Sequence, residues 1–387
     1  MILFVQPFGI GALGGGARIL RAMLRDAPVP WHSVAVSSCP PPPVPFGTET
    51  HLQHRINLGR IERSRYTAIA KYIDRFASRR IEVCIESFVL GKSVRGIHVV
   101  PHAGYETDAV LNVCQNLKVP LHLSVHDDPD YTLANHPHKK YYLEKIKESW
   151  HLAETRFVIS QEMGIELGRR WGKLPFVINT DGVGIPELPR AIAWPKRLHL
   201  YFAGLFHHAY VDNIIVLQHA LLSLKESHPD LDVKIILRGG LLPEQGVIES
   251  QLIKMLPAGT EADVHNDMMA VDMLYFPLGF DREAESMNKY SLSTKMVSYL
   301  GSGVPILYHG PANSAAHALL TGHRAAFICN SRIPSDLKMV LGGISEGEGR
   351  DRVVNALDLA SGLFNLSRIR REFWTRFSPI CVRDRAK

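Results

Sequence analysis

The sequence predicts an α/β protein made of two similar halves, each a parallel sheet covered on both faces by helices. Two observations predict it. Short apolar, β-rich runs alternate with helix-length amphipathic stretches along almost the whole chain, as βαβ units require. The alternation pauses once, at "PELPRAIAWPKR", 186–197, where three prolines interrupt any periodicity; this stretch reads as an interdomain linker. A chain of 387 residues is long enough for two cores of ordinary size.

In the first half, "ILFV", "HSVAV", "IEVCI", "GIHVV", "LHLSV", "RFVIS" and "PFVIN" read as buried strands, with helices over 15–26, 105–117, 138–153 and 161–171. In the second, the strands are "LHLYFAG", "VKIILRGG", "ADVHN", "MLYFPL", "VPILYH" and "AAFIC". The expected domains are therefore 1–187 and 188–364, both Rossmann-like. A basic C-terminal helix over 365–387 carries Ile369, Phe373, Trp374 and Phe377. Ligands of such sheets sit beyond the carboxyl ends of the strands, so two facing halves place the site in a cleft between them.

Net charge is +6 and the pI about 9.0, a mild excess compatible with anionic substrates, a membrane surface or nucleic acid and selective for none of them. Five cysteines, Cys39, Cys84, Cys114, Cys329 and Cys381, are scattered without a CxxC pair. That pattern fits reduced thiols in a cytoplasmic protein. No apolar run approaches the roughly 20 residues that span a bilayer, and "MILFVQPFGIG" has neither the basic lead nor the long apolar core of a secretory leader. Nineteen histidines include the close pairs His136/His138 and His207/His208, but none has a third partner at ligand-like spacing, so no metal is expected. The run 54–80 holds Arg55, Arg60, Arg63, Arg65, Lys71, Arg75, Arg79 and Arg80. It reads as a solvated helix face or as a surface for anionic lipid or an anionic acceptor. No aromatic-basic interleaving or nucleic-acid motif is present.

Two segments suit phosphate. "FVQPFGIGALGGGARILRAML" gives a strand, a glycine-rich turn and a helix beginning near Gly15. Gly14, Gly15 and Gly16 let backbone N–H groups approach a phosphate closely; a tight turn without a ligand has the same composition. "NKYSLSTKMVSYLGSGVPILYHGP" places Ser293 as an N-cap, Met296, Val297 and Leu300 on one apolar face, and Gly301 or Gly303 at the helix end. Lys295 then stands in the first turn, where the macrodipole disfavours a cation. A diphosphate bound by Ser293, Thr294, Lys295 and the free N–H groups resolves that conflict. Arg238, beyond a strand of the same half, is a second candidate cation, and His309 ends another strand on that side. In the first half, "SVHDDPD" puts His126 at a strand's carboxyl end with Asp127 and Asp128 beside it, and His102 ends the neighbouring strand in "VVPHAG". His126 and Asp127 are the catalytic candidates; His102 and Asp128 are candidates for acceptor contact.

"STKMVSYLGSGVPILYHGP" resembles the "SKLxEYLAxGxPV" segment of GT-B glycosyltransferases that use sugar nucleotides, of the family 4-like, group 1 kind. "GALGGGARILRAML" is similar to their first glycine loop and helix, "VPLHLSVHDDP" to the strand ending in His-Asp, "FVISQEMGIELGRRWGKLPFVINTDGV" to the end of their first domain, and "LHLYFAGLF" to the first strand of their donor domain. These pieces follow the family's order over most of the chain. The resemblance implies two Rossmann-like domains facing across a cleft, a nucleoside diphosphate sugar bound by the second domain, no metal or other cofactor, and His126 near the transferred sugar. It also implies that the C-terminal helix returns to the first domain. Two departures stand out. The E-x7-E pair of many retaining members falls on Tyr290 and Ser298, and the usual Arg and Lys after the first donor-domain strand have no match in "AGLFHHAYVDN". Glu283, Glu285 and Arg238 are the available substitutes.

The expected function is transfer of a sugar from a nucleoside diphosphate sugar to a glycan or lipid-linked acceptor in cell-surface polysaccharide or glycoconjugate synthesis. The protein would be cytoplasmic, with peripheral contact at the inner face of the membrane. A non-catalytic sugar-nucleotide or glycan-binding protein of the same fold and a sugar-nucleotide epimerase are the alternatives.

Overall fold

Two parallel sheets carry the chain in the computed structural model, each in its own unit. One unit comprises Met1–Asp181 with the tail from Ser367; the other is Gly182–Leu366. The description covers residues 1–387 apart from 38–40, 43, 45, 53–66, 137, 191–195, 205–207, 241 and 378–387, and apart from the side chains of 67–75, 77, 208 and 283. Most of the basic run 54–80, with Cys39, Cys381 and His207, thus lies outside the described residues.

In the first unit the elements run β1 (Ile2–Gln6), α1 (Gly15–Leu24), β2 (Trp31–Val36), β3 (Glu49–Leu52), α2 (Thr67–Gly91), β4 (Gly96–Val99), α3 (Tyr105–Leu117), β5 (Leu121–Val125), α4 (Pro129–Thr132), α5 (Lys139–Leu152), β6 (Thr155–Val158), α6 (Gln161–Trp171) and β7 (Val177–Ile178). The strands stand in the order β3-β2-β1-β4-β5-β6-β7, all parallel. β1, β4 and β5 are buried at every position, which explains their unbroken apolar runs.

"IEVCI" is not a strand. It lies inside α2, where Ile81 and Ile85 are buried and Val83 is exposed; the i, i+4 spacing of the buried pair is helical. The seventh strand is instead β3, "ETHL", whose polar composition hides it.

The second unit continues with β8 (Arg197–Ala203), α7 (Val211–Ser227), β9 (Asp232–Arg238), β10 (Ile253–Leu256), α8 (Glu261–Ala270), β11 (Met273–Pro277), α9 (Glu285–Tyr290), α10 (Thr294–Leu300), β12 (Ile306–His309), α11 (Ala315–Gly322), β13 (Phe327–Cys329), α12 (Pro334–Gly342) and α13 (Glu346–Gly362). Its sheet has the order β10-β9-β8-β11-β12-β13. The core joins Leu200 and Phe202 of β8, Ile235 of β9 and Tyr275 of β11 to Leu217 and Leu221 of α7 and Leu337 of α12. "ADVHN" belongs to α8, begun by a capping box in which Thr260 and Asp263 satisfy each other's backbone N–H. The strand missed there is β10.

The second unit begins before the proline-rich stretch. Val183 N–H donates to Phe364 O at 2.7 Å, Glu187 N–H to Gly301 O at 2.9 Å and Arg190 N–H to Gly303 O at 3.1 Å. Those bonds tie 183–190 to the second unit. The tail helix α14 (Leu366–Thr375) packs on the first. Trp374 Nε1 donates to Met23 O at 2.9 Å, Arg370 Nε donates to Ala22 O at 2.8 Å, and Phe373 stacks on Phe4.

Candidate functional site

Each sheet has one point where strand order reverses direction. In the first unit it lies between β1 and β4, so the loops after these strands frame a crevice at the carboxyl edge. The β1–α1 loop supplies Gly14, Gly15 and Gly16. Gly14 is the N-cap of α1 with φ of 128°, which a side chain would resist, and no side chain among the described residues caps the first turn. The N–H groups there remain open to an anion. A Cβ on Gly16 would stand 2.8 Å from the Phe8 ring and 3.3 Å from His126 Nδ1. Only glycine lets α1 start this close to His126.

His126 is 6% exposed and neither ring nitrogen has a hydrogen-bond partner among the described residues. Burial pulls its pKa down to about 4, so the imidazole is neutral near pH 7, able to accept at one nitrogen and donate at the other. Asp127 beside it is raised by burial, lowered by nearby His102 and raised again by Asp128. The fold thus brings Asp127 and His102 into electrostatic reach from two different strand ends.

Asp128 serves the fold. Its oxygens receive Arg170 Nη1 at 2.8 Å and Nη2 at 3.1 Å, and it caps α4 by accepting from Asp130 N–H at 3.1 Å. The carboxylate is therefore committed before any acceptor arrives.

Sequence reasoning passed over Glu106, whose Oε1 accepts the N–H groups of His102, Ala103 (2.9 Å) and Gly104 (3.1 Å) and so fixes the loop carrying His102. It also passed over Asn179 and Thr180, buried after β7 with side-chain atoms that have no partner among the described residues, and Asp181, paired with Arg18 at 2.8 Å. Their signal was the polar run "NTD" directly after a strand.

In the second unit the switch lies between β8 and β11. Ser293 caps α10, accepting from Lys295 N–H at 3.2 Å. Thr294 opens the helix. Met296, Val297 and Leu300 are fully buried, and Gly301 ends it. Lys295 reaches back over β8: its Nζ lies 3.5 Å from the Phe202 ring centroid and 5.5 Å from that of Tyr210. Its stem passes Gly204, where a Cβ would stand 3.5 Å from Cε. No ion pair joins Lys295 to a carboxylate among the described residues. Part of the side chain reaches solvent, yet burial of the ammonium end pulls its pKa down to about 7. No motif marks Phe202 or Tyr210: Phe202 stands within an apolar strand run, and Tyr210 lies beyond its end.

The other two donor-side candidates are occupied. Arg238 Nε donates to Asp267 Oδ2, which also accepts from Tyr201 Oη at 2.9 Å, and Nη1 donates to Pro257 O at 3.0 Å. His309 is buried and its pKa lies near 4 because of that burial. It bonds Ser331 O through Nε2 at 2.8 Å and Tyr275 Oη through Nδ1 at 2.7 Å. Both residues brace strand ends. Of the substitutes for the absent glutamate pair, Glu285 is exposed at the start of α9 and the side chain of Glu283 lies outside the described residues. Ser298 Oγ donates to Thr294 O at 3.1 Å. Among the described residues no group of three or more His, Cys, Asp or Glu side chains is gathered to hold a metal ion.

No family model and no curated protein matches the chain. Solved structures do, over nearly their full lengths. Sucrose-phosphate synthase from Thermosynechococcus elongatus is 13% identical with a TM-score of 0.71, covering 99% of each chain. HepE from Anabaena, in complex with UDP and glucose, is 13% identical with a TM-score of 0.65, covering 97% of this chain and 99% of HepE. A UDP-forming trehalose-phosphate synthase from Burkholderia xenovorans is 12% identical with a TM-score of 0.60, covering 97% and 98%. The likeness establishes the α/β two-domain GT-B fold.

Proposed function

We propose that the protein is a glycosyltransferase of the hexosyltransferase type, which moves a sugar from a nucleoside diphosphate sugar to a glycan or lipid-linked acceptor. One observation carries the donor side: a partly desolvated ammonium, Lys295, held over Phe202 in the first turn of α10 without a carboxylate partner among the described residues. A cation held there is unfavourable alone and favourable beside a diphosphate. Solved relatives of the same fold that contain UDP or UDP-glucose support a UDP-sugar as the donor.

In this reading Lys295, with the Ser293 and Thr294 hydroxyls, takes up the charge that develops on the leaving diphosphate as its bond to the anomeric carbon breaks. The first turn of α1, from Gly14 to Gly16, offers further N–H donors. Neutral His126 contacts the transferred sugar. Asp127, with His102 near it, takes the proton of the acceptor hydroxyl as that oxygen bonds to the anomeric carbon. Arg238 and His309 hold strand ends, and Asp128 holds the turn that presents Asp127.

We place the protein in the cytoplasm, in peripheral contact with the inner face of the membrane. Among the described residues no helix is long and apolar enough to cross a membrane. Helix α2 exposes Val83 and Leu90 beside Arg80 and beside Arg79, which pairs with Glu82 at 2.7 Å, an apolar face bordered by bases of the kind that rests on anionic bilayers. Sedimentation with anionic and neutral vesicles tests this; equal binding, or none at low salt, overturns it.

A second reading, a sugar-nucleotide-binding protein without turnover, is favoured by Tyr290 and Ser298 in place of the glutamate pair. A thermal-shift panel of nucleoside diphosphate sugars tests the donor site that both readings share. A ligand at 100 times its dissociation constant adds about 2.7 kcal/mol of stability, and no shift with any of them overturns both readings. Consumption of the bound donor in the presence of glycan and lipid-linked acceptors then separates transfer from binding alone.

A further inference from the structure

We propose that Glu49, on edge strand β3, is a positioning residue that holds the β1–α1 glycine loop in the shape that presents the first turn of α1 to the donor diphosphate. The inference rests on the donor reading given above, and no sequence motif contains Glu49.

The Glu49 side chain is only 3% exposed. A carboxylate so deeply placed is costly unless its oxygens are satisfied, and here they are satisfied largely by the loop and its supports. Oε2 accepts the N–H of Ile10 at 2.8 Å and the hydroxyl of Ser33 at 2.9 Å. Oε1 meets His51 Nε2 at 2.5 Å. Ser33 Oγ in turn accepts from Gln6 Nε2 at 2.6 Å, and that same amide donates to Phe8 O at 3.1 Å.

From the opposite side, Arg21 Nη1 donates to Ile10 O at 2.7 Å and Ala12 O at 2.6 Å. The loop closes its own turn through Ala12 N–H to Gly9 O at 2.9 Å. Ile10 is therefore gripped through both its N–H and its C=O, by an acid on β3 and a base on α1. Sterics complete the clamp: a Cβ on Gly9 would stand 2.8 Å from Pro42 Cδ and 2.9 Å from His51 Cε1. Beyond Ala12 only Leu13 precedes Gly14, so the shape imposed at Ile10 and Ala12 sets where the open N–H groups of α1 begin. A loop fixed before the ligand arrives adds no ordering cost to binding.

The test uses UDP and, as a base-independent probe, inorganic pyrophosphate, with amide hydrogen exchange at Ile10 read in the free protein. Glu49→Ala should weaken both ligands by about tenfold or more and speed exchange of the Ile10 amide. Glu49→Gln keeps an oxygen able to accept from Ile10 and Ser33, so it should stay within about threefold of wild type, since a neutral acceptor replaces a charged one in a site already satisfied. Ser33→Ala removes the relay without touching the acid and should give an intermediate loss with a normal melting curve; it keeps the question open to test should Glu49→Ala fail to fold. Wild-type affinity in both Glu49→Ala and Ser33→Ala, or a Glu49→Gln variant as weak as Glu49→Ala, overturns the proposal. If wild type bound neither probe, the donor reading would fall. If the Ile10 amide exchanged alike in wild type and Glu49→Ala, the clamp would fall whatever the ligand does.

Discussion

The ammonium of Lys295 lies 3.5 Å from the centroid of the Phe202 ring, across a helix-to-strand contact that spans 93 residues of sequence. The ring offers a cation some favourable field but no proton acceptor or counter-charge. The free protein therefore carries an electrostatic deficit at Lys295 that an anion would relieve.

Binding and stability should move in opposite directions when that ammonium is removed. Lys295→Met keeps much of the stem and discards the charge. It should weaken nucleoside diphosphate binding by about 1.5–3 kcal/mol, the range for a hydrogen bond to a charged group, while the free protein melts at an equal or higher temperature. Calorimetry with UDP and thermal denaturation without it give the two readings. A variant that lost stability and kept its affinity would remove Lys295 from the donor site.

The pH dependence has a definite sign. With its pKa near 7, folded Lys295 sheds a proton that the unfolded chain keeps up to about 10.4. This group therefore makes the free protein more stable as pH rises from about 7 toward 10, and penalises it below 7. A bound diphosphate favours the charged form, so binding in that window should take up a proton and weaken as pH rises. Titrations in two buffers of different ionisation heat, such as HEPES and Tris at pH 8, should show the uptake in wild type and not in Lys295→Met.

His126→Ala should reduce turnover by at least about 100-fold, the low end for a positioned catalytic group, with a smaller effect on nucleotide affinity. Because its pKa is near 4, the imidazole does not change charge between pH 5 and 8, and no step in the wild-type rate profile over that range should vanish in the variant. Steady-state rates across pH check both statements.

Asp128→Asn should cost about 1–3 kcal/mol of stability, since it removes the charge from one side of a largely buried ion pair; the cost is held down because Arg170 keeps Glu166 through Nε at 2.7 Å and Asp130 through Nη1 at 3.0 Å. Asparagine still caps α4, so the loss isolates the ion pair. Urea denaturation measures it, and nucleotide affinity should be unchanged. An undiminished midpoint would return Asp128 to the list of acceptor contacts.

What the sequence alone determined were features with a local cause. The alternation of buried strands with amphipathic helices comes from side-chain periods of 2 and 3.6. The start of α10 at Ser293 and its end at Gly301 come from capping chemistry within a few residues of each end. Even here short runs misled: apolar "IEVCI" and mixed "ADVHN" are helical, while polar "ETHL" and the four-residue "IKML" are edge strands held by pairing with one neighbour. Which candidate charges are free was decided only by tertiary structure. Asp128 and Arg170 are 42 residues apart, Arg238 and Asp267 are 29 apart, and Tyr275 and His309 are 34 apart. Strand order brings these partners together, and strand order is set by the packing of whole faces, which no local window of sequence contains. The same packing left Lys295 without a carboxylate and the His126 ring without a hydrogen-bond partner among the described residues, and put Glu49, from an unremarked edge strand, under the glycine loop.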